Sequence, residues 1–195
     1  DYSTKTSWQE GAPVQFTGGA HSGNNVWMTG LNTDYIDGDE SALFTPVFIV
    51  DSGVPYNIHF WHQMKTEKYH DGGNIEYSLD GGVSCYTVGC SLPNQPNWYN
   101  TPFVTALDQI RSGWTDTIDG WKEASQTISF QKSTKAVFRF RFGADYDIVD
   151  VGWAMDDFCF SKDTTGGRIE YTIGLDAGKI PNSIVFGTMA PNPAK

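Results

Sequence analysis

Apolar residues in this chain recur mostly at a spacing of two, with little of the three-and-four rhythm of a helix. Residues 56–66 (YNIHFWHQMKT) set Ile58, Phe60 and His62 against His59, Trp61 and Gln63. Successive side chains of a strand point to opposite faces, so this stretch predicts a strand with two distinct sides. Residues 73–79 (GNIEYSL) alternate again and end at Asp80-Gly81-Gly82, residues that tolerate positive φ and predict a hairpin turn. Residues 136–143 (AVFRFRFG) place Phe138, Phe140 and Phe142 on one face and Val137, Arg139 and Arg141 on the other. Residues 42–50 (ALFTPVFIV), 126–130 (QTISF) and 153–161 (WAMDDFCFS) predict further strands, the first too short an apolar run for a typical helix. A helical turn or two is expected only near 104–111.

Strands with one apolar face must cover it, and a second sheet is the natural cover. The expected fold is therefore all-β: a two-sheet antiparallel jelly-roll β-sandwich. One stretch breaks the pattern. Residues 91–122 are long, polar and rich in Pro, Asn and Thr, and they carry Trp98, Tyr99, Trp114 and Trp121. A long irregular loop either needs such rings to pin it to the sandwich or offers them to a ligand. Trp61 and Trp153, inside strands, read as core.

Charge narrows the partners. The 195 residues carry 23 acidic and 13 basic side chains, a net charge of −10. Such a surface repels phosphate backbones and anionic membranes, and it suits hard cations that take oxygen ligands. No apolar stretch approaches the roughly 20 residues that cross a bilayer as a helix. The first residue is Asp1, which suggests a fragment of a larger exported chain. Of three cysteines, Cys85 and Cys90 are spaced for a short-loop disulfide, whereas Cys159 lies among aromatics and reads as a buried thiol.

Three stretches together carry a resemblance: Trp27 to Phe48 (WMTGL…ESALFTPVF), Asp71 to Gly82 (DGGNIEYSLDGG) and Phe138 to Phe158 (FRFRFGAD…GWAMDDF). They resemble the MAM-like, concanavalin-type jelly-roll accessory domains of secreted and cell-surface proteins of Bacteroidota. The animal-type cysteine set of that family is missing. Met189 to Ala194 (MAPNPA) looks like the start of a type IX secretion C-terminal sorting domain. The expected organisation is a MAM-like jelly roll over 1–163, then a terminal strand or linker over 164–195 leading into a sorting domain.

The same resemblance implies structural calcium. Asp156 and Asp157 stand adjacent in a strand, so one should point inward, where an unpaired carboxylate is costly. Asp39 and Glu40, in the DYIDGDES run, are the expected partners; the alternatives are a set of backbone N–H donors, pairing with Arg139 or Arg141, or a carboxylate that faces solvent. His59 and His62 face opposite sides and cannot readily share a metal. Signatures of catalysis (G-x-S-x-G, H-E-x-x-H, a P-loop) do not occur. The expected function is a noncatalytic adhesion or binding module, secreted or at the cell surface, for a glycan or a surface protein. Trp98, Tyr99, Trp114 and Trp121 would be its binding residues. The alternative is a structural accessory domain of a secreted protease, with no ligand of its own.

Overall fold

The computed structural model of the chain describes residues 7–93, 95, 97–108, 111–162, 169–172 and 190–191. In chain order the strands are β1 (Trp8–Gly11), β2 (Val26–Thr29), β3 (Glu40–Phe44), β4 (Phe48–Val50), β5 (Pro55–Lys65), β6 (Gly72–Ser78) and β7 (Tyr86–Thr87). They continue with β8 (Thr101–Val104), β9 (Arg111–Gly113), β10 (Thr117–Ser129), β11 (Thr134–Gly143), β12 (Gly152–Lys162), β13 (Ile169–Thr172) and β14 (Ala190–Pro191). No helix occurs among the described residues. The expected helical turns near 104–111 are instead the end of β8, a turn and the start of β9.

The first sheet runs β1-β2-β12-β5-β10, with β13 on the far half of β12. The second runs β14-β3-β11-β6-β7, with β4 also on β11. All the paired strands are antiparallel. This is the two-sheet antiparallel sandwich that the alternation called for. Phe138, Phe140 and Phe142 of β11 meet Ile58, Phe60, Met64, Trp153 and Phe160 in one continuous aromatic core. The apolar run 42–50 is two strands because Pro46 cannot donate to a ladder. Across that break Thr45 takes over, its hydroxyl accepting from the Phe138 amide at 3.0 Å.

Segment 91–122 is less irregular than its composition suggests. It holds the β8–β9 hairpin and the first turn of residues of the long edge strand β10. Its rings tie both sheets together along the open side of the sandwich. Trp98 Nε1 donates to the Val88 carbonyl at 3.2 Å, and Tyr99 Oη donates to the Ile75 carbonyl at 3.0 Å. Trp114 exchanges two backbone hydrogen bonds with Gly73 of β6, at 2.8 and 3.0 Å. A side chain at 73 would run into the Trp153 ring, so glycine there is a packing requirement.

On the outer side of the second sheet, Glu76 is fully buried yet ringed by cations. Arg139 bonds its Oε2, and Arg111 lies 3.2 Å from its Oε1. Arg141 lies 3.9 Å from the same Oε1 and bonds more closely to Asp108 at 2.8 Å and Glu40 at 3.2 Å.

In the tail, β13 and β14 pair with β12 and β3. The rest of the Met189–Ala194 motif, apart from Ala190 and Pro191, lies outside the described residues.

Candidate functional site

One end of the sandwich collects exposed rings and carboxylates on four short connections. The β5–β6 connection, 66–71 (TEKYHD), forms a tight turn in which the Asp71 amide donates to the Glu67 carbonyl at 3.1 Å. Tyr69 sits in this turn at φ 67°, a left-handed conformation that costs a non-glycine residue on the order of 1–2 kcal/mol. Its backbone is held on both sides: its amide donates to Thr115 Oγ1 at 2.9 Å and its carbonyl accepts from the Thr105 amide at 2.9 Å. The next carbonyl, of His70, accepts from the Ala106 amide at 3.0 Å. The turn is thus stapled to the segment beyond β8.

That arrangement lays the Tyr69 ring on Phe103, with centroids 5.4 Å apart and planes 26° from parallel. The two residues are 44% and 38% exposed. Polar groups flank them. Lys68 Nζ lies 5.3 Å from the Tyr69 ring centre and 2.7 Å from Asp116 Oδ2. Thr105 and His70 border the same surface.

Behind the rings the carboxylates converge. Glu67, His70 and Asp145 each bring a ligating atom within 4.8 Å of the others, and His70 Nδ1 lies 3.2 Å from Asp145 Oδ2. One layer deeper, Asp71 is fully buried; its Oδ2 accepts from Tyr35 Oη at 2.7 Å and its Oδ1 from the Asp145 amide at 2.8 Å. Burial pushes its pKa up to about 6, opposed by those two hydrogen bonds and reinforced by the charges of Asp145 and Glu67. Burial, followed by the hydrogen bond to Asp71, likewise drives the Tyr35 phenol upward.

The residues expected to bind a ligand lie mostly elsewhere. Trp98, Tyr99 and Trp114 are buried in the core against Phe60 and one another, with ring centres 4.5 to 6.4 Å apart. They pin the loop and present no open face, because the core that they complete would otherwise be wet. Trp121 is half-buried on the outer side of the first sheet, its Nε1 donating to the Gly19 carbonyl at 3.2 Å. Trp153 is core, as expected, but Trp61 is not. Trp61 faces outward beneath His21, stacked 4.1 Å from it. His59 and His62 do point to opposite sides. His59 pairs with Glu123 at 3.1 Å, and His62 accepts from Trp153 Nε1 at 3.2 Å inside the core. Burial holds the His62 pKa down at about 3.

The four expected calcium ligands do not form one set. Glu40 is exposed and engages Arg141, whereas Asp39 is buried. Asp39 Oδ2 accepts from the hydroxyls of Ser7 and Ser41, its Oδ1 has no partner, and burial raises its pKa to about 6. Asp156 and Asp157 belong to the other sheet, on its outer face. There β12 carries a bulge: Trp61 pairs with Asp156 and His59 with Cys159, and Asp157 takes φ 51°. The extra residue lets Phe158 enter the core while both aspartates hold the loop over 12–25. Asp156 Oδ2 accepts from the Ser22 amide at 3.0 Å, and Asp157 lies 2.6 Å from His21 Nδ1 and accepts from Ser22 Oγ at 2.5 Å. Neither carboxylate enters the space between the sheets, but Asp156 is buried under that loop, and the amides of Ser22 and Asp157 donate to it, the latter at 2.8 Å: backbone N–H groups, not a cation or an arginine, satisfy it. Among the described residues the group placed to share one ion is Glu67, His70 and Asp145, which contains none of the four. The cysteines also differ from expectation: Cys85 and Cys90 are free thiols flanking β7, and the Cys85 thiol faces the Gly82 carbonyl. Cys159 is buried, as its setting suggested.

Composition gave little warning of the Tyr69–Phe103 pair. Glu-Lys-Tyr-His-Asp is an ordinary polar turn, and its partners Phe103 and Asp145 lie 34 and 76 residues beyond Tyr69. The usable signal was the position of that run, between two strongly alternating strands that had to bring it to an end of the sandwich.

No protein-family model matches the chain, and no curated protein matches it. Among solved structures it is similar to the carbohydrate binding module CBM6cm-2 from Cellvibrio mixtus lichenase 5A, solved with cellotriose. The TM-score is 0.40 at 16% identity, over 84% of this chain and 92% of that one. At that score the likeness carries no argument about fold or ligand.

Proposed function

We propose that this chain is a noncatalytic binding module whose ligand is a carbohydrate, held on the Tyr69–Phe103 platform. The supporting observation is the pair itself: two stacked, exposed rings fixed by backbone hydrogen bonds on either side of Tyr69. An exposed apolar ring face matches the CH-rich face of a pyranose, and neighbouring polar groups fix its hydroxyls. Lys68, Asp116 and Thr105 are placed for that second task. The two carboxyls that burial raises furthest, Asp39 and Asp71, are fully enclosed and already hydrogen-bonded, so neither meets a polymer on the surface. This favours binding over hydrolysis. The resemblance of the strand motifs to exported accessory domains supports a secreted or cell-surface setting within a larger chain.

The test is a panel of soluble and insoluble polysaccharides against the purified chain. Binding to at least one glycan is expected, and Tyr69→Ala or Phe103→Ala should weaken it by more than about tenfold, as a central contact does. Binding that survives both substitutions sinks the site. No binding across the panel sinks the carbohydrate reading and leaves the accessory role, which the purely structural use of Trp98, Tyr99 and Trp114 would suit.

A further inference from the structure

We infer that Glu67, His70 and Asp145 form a binding site for one divalent transition cation, of the class of Zn²⁺ or Mn²⁺. The inference does not rest on the carbohydrate reading. Its first support is geometric. The three ligating atoms lie within 4.8 Å of one another, and the 3.2 Å between His70 Nδ1 and Asp145 Oδ2 is close to the ligand–ligand edge around an ion with bonds of about 2.0–2.2 Å.

The second support is independent of that spacing. Glu67 Oε2 is shut off from solvent and has no hydrogen-bond partner. A desolvated carboxylate oxygen without a donor is costly, and a cation is the group that would satisfy it. The protein's own nearby cations are committed elsewhere: Lys68 to Asp116 at 2.7 Å and Lys65 to Asp150 at 3.0 Å.

The donor set selects the class of ion. One imidazole with two carboxylates suits zinc, manganese and their neighbours, whereas calcium takes six to eight oxygens and seldom an imidazole. Backbone hydrogen bonds fix the chain at two of the three residues. The Asp145 amide is held by Asp71 Oδ1, the Asp145 carbonyl accepts from the Gly38 amide at 2.6 Å, and the Glu67 carbonyl accepts from Thr115 Oγ1 at 3.0 Å. An ion here would clamp the β5–β6 turn to the loop after β11.

The experiment is calorimetric titration of the purified chain with Zn²⁺ and with Mn²⁺, and Co²⁺ titration followed by visible absorption. Because Cys85 and Cys90 are free, each is repeated on the Cys85→Ser, Cys90→Ser double variant. One equivalent is expected in both proteins, with Co²⁺ d–d bands and no thiolate charge-transfer band. His70→Ala and Asp145→Asn should each weaken binding at least as much as the roughly 10–100-fold that follows loss of an outer-shell partner. His59→Ala, which alters the separate pair with Glu123, should leave affinity unchanged. His70 is exposed, so its variant should fold, and near-ultraviolet circular dichroism checks this. The inference is overturned if no equivalent binds, if binding vanishes with the two cysteines, or if folded His70→Ala binds like the parent. Calcium displacing Zn²⁺ at equal concentration would overturn the assigned class of ion. None of these outcomes depends on a sugar, so the cation site and the carbohydrate platform can fail separately.

Discussion

Two groups of aromatic rings, drawn from the same side of the molecule, have opposite fates. Trp98, Tyr99 and Trp114 fill the gap between the sheets, whereas Tyr69 and Phe103 are exposed and stack on each other. The difference follows from what their backbones bond to. The segment around Trp98 to Trp114 is bonded to strands of both sheets, to Ser125 of β10 and Gly73 of β6, and so its rings are drawn between them. Tyr69 is bonded to the connecting residues Thr115 and Thr105, and Phe103 belongs to the two-stranded β8–β9 hairpin, which lies outside both main sheets. Ring content alone does not tell a platform from a plug. Hydrogen-bonded attachment to one layer or to two does.

The comparison breaks most visibly if the plug is removed. Trp114→Ala should cost about 3–5 kcal/mol, the usual penalty for emptying a large buried aromatic site, read as a shift of the urea midpoint. A loss below about 1 kcal/mol would mean that the loop does not close the core.

Second in size is a pH effect inside that core. His62 touches Trp114 and Trp153, and its pKa is lowered to about 3. Between about pH 6.5 and that value the unfolded chain binds a proton that the folded chain refuses, so stability falls as pH falls through this window. Asp39 and Asp71, raised to about 6, act in the other sense: between about pH 4 and 6 the folded chain binds the extra protons, and stability falls as pH rises. The contribution of His62 is isolated by difference. From pH 6.5 to 4.5 the parent should lose up to about 2–3 kcal/mol that His62→Gln does not lose. Parallel profiles would show that His62 is not held neutral by burial.

The smallest effect on stability sharpens the other side. Tyr69→Gly should change unfolding free energy by less than about 1 kcal/mol, because relief at φ 67° offsets the lost contact with Phe103. The same variant should lose any carbohydrate binding. A large loss of stability would mean that Tyr69 is core after all.

The strands and their faces could be read from residues. Alternation in 56–66 and 136–143 sorted Phe60 from His59 and Trp61, and Phe138 and Phe140 from Arg139, onto opposite faces, because the period of two is a local property of an extended chain; which face of 56–66 is covered was not legible, and Trp61 was misplaced in the core. It failed where the chain departs from that period. At Asp156–Asp157 a bulge inserts a residue, and at Thr45–Pro46 a side chain stands in for a missing amide; both depend on the neighbouring strand. Glu76 shows the same limit. Its place on the polar face of β6 was legible, but not its burial beneath Arg111 and Arg139, which come from distant parts of the chain.

What the sequence determined by itself is the secondary structure class and the two-layer architecture. Both follow from short-range patterning and from the need to cover a row of phenylalanines. What only the tertiary structure decided is which rings and carboxylates meet. Tyr69 and Phe103, or Glu67 and Asp145, are brought together by loops whose ends are set by the sheets. Their proximity is a consequence of strand order, which no local pattern encodes.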